Sequence, residues 1–176
     1  LYRVSHADIY QHDRLSSPYQ IPVLEFSDIA SFSSIQPSLS ISVEADLPLK
    51  QAPESKIIMF RNSNGKEEHF AILIGEGLSV KEPLVRLHSQ CLTGDVFGSL
   101  KCDCGEQLQT ALSLMSNEGA GVVLYLAQEG RDIGLLNKIR AYALQDAGLD
   151  TIEANHSLGF DTDERVFSTA VEMLDL

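Results

Sequence analysis

Between Leu108 and Gly148 the hydrophobic period of the chain changes twice, and this restricts the fold more than any other feature. Leu108, Ala111, Leu112 and Met115 recur at the spacing of one helix face, and Gly119 is a natural helix stop. The run GVVLYL that follows is apolar nearly throughout, as in a strand covered on both faces. IGLLNKIRAYALQDAG then returns to helical spacing and closes at Gly148. A helix, a covered strand and a second helix in succession need a sheet with helices packed against it.

Upstream, KIIMFR, HFAILIGE and PLVRLHS are rich in Ile, Val, Leu and Phe and are separated by the polar stretches NSNGKEE and GLSVKEP, so they read as neighbouring strands. The expected fold is therefore α/β: a three-layer α/β/α-like domain with a mixed β-sheet. RLSSPYQIP and SFSSIQPSLS are Ser/Pro-rich, and residues 1–45 are expected to form a loosely structured N-terminal arm ahead of a domain over 46–176. A final helix is expected from near Thr162, with Val166, Phe167, Ala170, Val171 and Leu174 on one face. Its apolar face runs to Leu176 without a cap or stop signal, so the C-terminal part of the domain is expected to lie further on. No apolar run approaches the roughly 18 residues of a spanning helix, and no basic patch and apolar h-region mark export, so the expected location is the cytoplasm.

The three cysteines fall in one stretch, CLTGDVFGSLKCDCGEQLQ, as Cys-x10-Cys-x-Cys. An odd number without a secretory signal argues for reduced thiols rather than a disulfide framework. Gly94 and Gly98 would let the intervening loop fold back and bring three sulfurs together. Three thiolates suit zinc, and three protein ligands leave its fourth tetrahedral position for water and chemistry. Spacing alone leaves two other readings open: a structural zinc completed by His88 or His156, and three buried thiols packed as small hydrophobes.

Charge narrows the partners. Lys plus Arg number 13 against 25 Asp plus Glu, a net charge of −12, which repels nucleic-acid polymers and anionic lipid surfaces. A small anion remains compatible where arginines cluster. In VRLHSQC, Arg86 and His88 share one face of a strand that ends just before Cys91, and QEGRDIG sets Glu129 and Arg131 in a turn after the GVVLYL strand. Strand ends of this kind are where open α/β sheets bind ligands.

Five collinear motifs, RLHSQCLTGD, GSLKCDCGEQL, YLAQEGRDIGLLNKIRAYALQD, DTIEANHSLGF and DERVF, resemble GTP cyclohydrolase II of riboflavin synthesis. The likeness covers roughly Leu84 to Leu176; ISVEADLPL resembles the entry segment of that family more weakly. It implies zinc on Cys91, Cys102 and Cys104 with water as fourth ligand. It implies GTP against Arg86, Leu87, His88, Ser89, Gln90, Gln107, Glu129, Gly130, Arg131 and Thr151, with Mg²⁺ on the phosphates. Tyr142, Asp163 and Arg165 are implied as catalytic, Asp163 as proton acceptor and Arg165 as nucleophile towards the α-phosphorus. Because a guanidinium, with a pKa above about 12, stays protonated and is a poor nucleophile, electrostatic stabilisation of the phosphoryl group is the simpler role for Arg165. Asp163 and Arg165 are expected at the start of the last helix, where free N–H groups favour phosphate. The implied products are a diaminopyrimidine ribosyl phosphate, formate and pyrophosphate, and the implied assembly is a homodimer. Gln90 departs from the family, many of whose members carry Glu there, and this leaves a second reading: a catalytically impaired GTP- and zinc-binding relative acting as a sensor or structural module. A bifunctional protein that also makes the four-carbon riboflavin precursor is disfavoured, since the residues before Ser40 carry none of the acidic motifs of that domain.

Overall fold

The computed structural model describes residues 39–62 and 68–176, and most of the expected N-terminal arm lies outside them. Five strands form one sheet: β1 (Leu39–Asp46), β2 (Ser55–Asn62), β3 (Glu68–Gly75), β4 (Leu84–Ser89) and β5 (Ala120–Leu126). β1 spans the boundary expected at residue 46, so the sheet begins earlier in the chain than that boundary. The strand order is β1-β2-β3-β5-β4. β1, β2, β3 and β5 pair antiparallel, whereas β4 lies parallel to β5, with Leu84 opposite Gly121 and Ser89 opposite Leu126. The sheet is thus mixed, as expected.

Among the described residues four α-helices accompany the sheet: α1 (Cys104–Glu118), α2 (Gly134–Asp146), α3 (Thr151–Ser157) and α4 (Ser168–Asp175). α1 and α2 match the two helical periods in the sequence, and α1 ends at Gly119, whose φ is 76°. α3 went unforeseen because it is only seven residues long. Its start is nonetheless a capping box, with Asp150 accepting from the backbone of Ile152 and Glu153 while Glu153 reaches back to Asp150.

The alternating side chains of β5 divide the core into two layers. Val122, Leu124 and Leu126 pack with Phe60, Ala71 and the α4 residues Ala170 and Met173. Val123 faces the other way, with Ile72, Ile74 and the α1 residues Leu108, Leu112 and Met115. One helix on each face of the sheet makes the three layers. β5, flanked by β3 and β4, has six of its seven residues buried, which explains its unbroken apolar run.

The last helix differs from expectation. It begins at Ser168 rather than near Thr162, and residues 160–167 take no regular structure apart from a bend at Thr162. Ala170 and Met173 form its buried side, while Val166, Phe167, Val171 and Leu174 are exposed. The helical spacing was real only from Ser168 onward; ahead of it the backbone of Val166 is held by the Gln128 amide at 2.6 Å.

Candidate metal centre and ligand cavity

Because β4 and β5 run in the same direction, their C-terminal ends lie side by side at one rim of the sheet, and the next residue, Gln90, still bonds to Leu126 (N to O, 2.8 Å). From that rim the chain makes a single π-helical turn over Leu92–Val96, preceded by Cys91. The turn is tied down from inside by Asp95, whose side chain is 5% exposed. Its carboxylate accepts from the backbone N–H of Cys91 (3.1 Å) and the hydroxyl of Tyr125 (2.7 Å), and lies 3.1 Å from His88 Nε2.

This turn and the start of α1 bring the three cysteines together. Their sulfurs all lie within 4.8 Å of one another, with Cys91 and Cys102 3.5 Å apart. A tetrahedral zinc at about 2.3 Å from each sulfur needs sulfurs about 3.8 Å apart, so the donor set fits the ion. Gly94 lies against this cluster: a Cβ there would stand 2.9 Å from Cys102 Sγ, 3.0 Å from Cys91 Sγ and 3.1 Å from Cys104 Cβ. Neither histidine raised as a fourth ligand joins the group. His88 turns to Asp95, and His156 Nε2 lies 3.5 Å from Thr162 Oγ1. Nor are all three thiols buried as small hydrophobes would be: Cys91 is buried, but Cys102 and Cys104 are only partly so.

The thiols are electrostatically unequal. Burial pushes the Cys91 thiol up, but hydrogen bonds from Lys138 and Thr93 and from the Gly94 N–H bring it below its ordinary value. Burial and the neighbouring Cys91 push Cys104 up to about 12. Lys138 Nζ lies 2.9 Å from Cys91 Sγ and 2.7 Å from Glu129 Oε1. Burial alone would lower the Lys138 pKa, but those two partners hold it above the usual lysine value. The other oxygen of Glu129 accepts from Leu92 N at 2.7 Å, so the carboxylate joins the turn after β5 to the turn after β4. Tyr142 is one helical turn beyond Lys138, with its hydroxyl 3.4 Å from Thr93 Oγ1; burial pushes that phenol up.

A cavity of about 400 Å³ opens onto the cluster. The sequence-predicted residues Arg86 to Gln90, Gln107, Gly130, Arg131, Tyr142, Thr151 and Arg165 all line it, together with the three cysteines. Arg86 donates to Gln107 Oε1 at 2.6 Å, and Gln107 in turn donates to Asp103 at 2.8 Å. Arg131 holds a positive φ of 60°, next to Gly130 at 66° and Asp132 at 74°, and its guanidinium reaches Thr162 O at 3.1 Å. Thr151 Oγ1 accepts from Gln145 at 3.0 Å.

Three expected residues sit differently from their anticipated surroundings. Glu129 is not in the lining, since both its oxygens are engaged inside the protein. His88 borders the cavity but is only 2% exposed and is directed to Asp95. Asp163 is also outside the lining, and it precedes α4 in irregular chain rather than opening a helix. It grips Arg165 through two parallel bonds, Nε to Oδ1 at 2.8 Å and Nη2 to Oδ2 at 2.5 Å. This pairing holds the Asp163 carboxyl below its ordinary range and the Arg165 guanidinium above its own. Arg165 then extends to Ser89 Oγ at 3.4 Å.

Sequence reasoning missed Asp95, Tyr125 and Lys138. A signal existed for Lys138 alone: it stands four residues before Tyr142 on α2, the spacing of side chains stacked on one helix face. Tyr125 reads as an ordinary strand residue, and Asp95 as a loop residue.

Fold and site together define an α/β protein with a three-thiol cluster able to bind a metal, set at the end of an arginine-edged cavity. Residues 40–176 match the family described as GTP cyclohydrolase II, and the chain belongs to that family. It is 45% identical over 160 residues to the GTP cyclohydrolase-2 of Azospirillum brasilense, covering 90% of this chain and 42% of that protein. It is 50% identical over 139 residues to the GTP cyclohydrolase-2 of Haemophilus influenzae strain PittGG, covering 78% and 64%. With the riboflavin biosynthesis protein RibBA of Thermotoga maritima it shares 47% over 167 residues, covering 92% and 41%. The chain thus spans from about two fifths to just under two thirds of the length of these relatives. Among the described residues no helix is long and apolar enough to cross a membrane.

Proposed function

We propose that the domain built on this sheet carries the GTP cyclohydrolase II reaction, converting GTP to 2,5-diamino-6-(5-phosphoribosylamino)pyrimidin-4(3H)-one, formate and pyrophosphate, the first committed step of riboflavin biosynthesis. The observation that carries this reading is the convergence of three thiols within 4.8 Å at a cavity edged by Arg86, Arg131 and Arg165. Cys91, Cys102 and Cys104 would hold zinc, which when bound supplies the Lewis acidity that makes water a nucleophile at neutral pH.

The residues of the chain do the rest. Arg165, kept charged by Asp163 and aimed across the cavity towards Ser89, stabilises the phosphoryl oxygens as pyrophosphate leaves. A guanidinium whose pKa is raised by two bonds to a carboxylate is a clamp and a poor nucleophile. Arg86, from within β4, and Arg131, from the turn after β5, add positive charge, with Mg²⁺ on the phosphates. Tyr142 keeps its proton at neutral pH and is placed to hand it to the opening guanine ring. Glu129 acts at one remove, by holding Lys138 and the first N–H of the π turn. The homodimer expected of the family is supported by the solvent-exposed side chains of Phe97 and Leu100, just past that turn. A cytoplasmic location goes with a GTP substrate.

Incubating the full-length protein with GTP, Mg²⁺ and zinc and assaying formate and pyrophosphate tests the reading. Both products in equal amounts are expected. Tight GTP binding without either product would instead favour the impaired relative, with Gln90 as the residue to revert to Glu.

A further inference from the structure

Lys138 is the single buried lysine among the described residues, with its side chain 11% exposed. A buried ammonium is costly unless each of its donors finds a partner. One partner is Cys91 Sγ at 2.9 Å and another is Glu129 Oε1 at 2.7 Å. The Tyr142 ring provides a third contact, with its centroid 5.9 Å away. One side chain therefore touches a cysteine of the cluster, the carboxylate of the turn that carries Arg131, and the phenol at the cavity. Cys91 Sγ receives a further donor, Gly94 N at 3.3 Å.

We propose that Lys138 is a positioning residue that sets the donor strength of the Cys91 thiolate towards the metal, with Glu129 aiming its ammonium. This rests on the reading of the three cysteines as metal ligands. A hydrogen bond from a cation draws electron density off the sulfur, so the metal keeps more of its Lewis acidity while repulsion within the thiolate trio is reduced. Groups that orient a metal ligand from behind typically change metal affinity by about 10–100-fold when removed. Lys138 is thereby assigned to the metal and not to the nucleotide phosphates.

Cobalt substitution reads this directly. Full-length protein stripped with chelator and titrated with Co²⁺ should show thiolate-to-cobalt absorption. Lys138→Met should move that band to longer wavelength and lower Co²⁺ affinity about tenfold or more in competition with a chelator. Lys138→Arg, which keeps the charge and the N–H donors, should restore most of both. Glu129→Gln leaves the ammonium but weakens its aim, and should move the band the same way by less. A folded Lys138→Met with the wild-type melting temperature, band and affinity overturns the proposal. Should Lys138→Met not fold, an unshifted band in Glu129→Gln overturns it. Absence of any thiolate-to-cobalt band in the wild type would remove the metal reading itself, and this inference with it.

Discussion

Gly94 and Cys102 meet so closely that no side chain fits between them: the first carbon of one would stand 2.9 Å from the sulfur. The same carbon would press on Cys91 Sγ at 3.0 Å. Gly94→Ala must therefore push at least one sulfur out of the trio. Zinc per chain, measured by plasma mass spectrometry, should fall well below that of the wild type, with far-UV circular dichroism unchanged. Wild-type zinc content in a folded Gly94→Ala protein would show that the sulfurs do not act as one site.

Cys102→Ser tests the cluster from the other side. It should abolish formate release and lower bound zinc, because a serine hydroxyl does not replace a thiolate as a zinc ligand at neutral pH. Undiminished zinc in this variant would remove the proposed ligand set.

Asp95 organises the π turn from beneath, through Tyr125, His88 and the Cys91 N–H. Asp95→Ala leaves these groups without their acceptor in a buried site, at about 1–3 kcal/mol for each one left unpaired. A loss of about 3 kcal/mol in urea unfolding is expected, with Tyr125→Phe costing about 1 kcal/mol. Equal, negligible losses in both variants would mean that the carboxylate does not brace the turn.

Asp163 and Arg165 carry a pH signature. The folded carboxyl lies below its ordinary value of 3.8, so the pair is in place above that value and is lost only as pH falls through the lower, folded one. Asp163 therefore should not titrate in the working range. Arg165→Ala should lower turnover about 10²–10³-fold, and Asp163→Asn less. The Asp163→Asn defect should be the same at pH 6 as at pH 8. A defect that disappears towards pH 6 would place the titration of Asp163 inside that range and contradict the pairing.

Gly130 holds a φ of 66° in the turn after β5, and a Cβ there would meet Lys138 Cβ at 3.0 Å and Gly134 O at 3.1 Å. Gly130→Ala should cost about 1–2 kcal/mol for the left-handed backbone alone, read as a lower midpoint in chemical denaturation. Full wild-type stability would imply that the turn rearranges.

Much of the fold could be read from period alone, because β5 is buried on both faces and α1 and α2 each bury one clear stripe. The start of α4 could not. Val166 and Phe167 continue the apolar spacing, yet a long-range bond from Gln128 holds the chain out of helix there, and such a bond leaves no local trace. The three cysteines and the arginines that edge the cavity were legible because their residue types are chemically specific. Asp95 and Tyr125 were not, since their shared role arises from a bond 30 positions long, and the spacing of Lys138 from Tyr142 gives no hint of its bond to Cys91, 47 positions away. Glu129 was found by resemblance, but its engagement inside the protein is a fact of folding that no motif expresses.

The parallel pairing of β4 with β5 has an architectural consequence. The segments that carry the cysteine cluster and Arg131 leave the sheet at one rim, while the connections 47–54 and 76–83 turn at the other, where Asp46 pairs with Lys56 and Gly75 with Ala120. Extra residues grafted into the exposed stretch 78–82 would hang from the far side of the molecule and leave the cluster and cavity intact, whereas a single residue inserted after Ser89 or Leu126 would throw the thiols and arginines out of alignment.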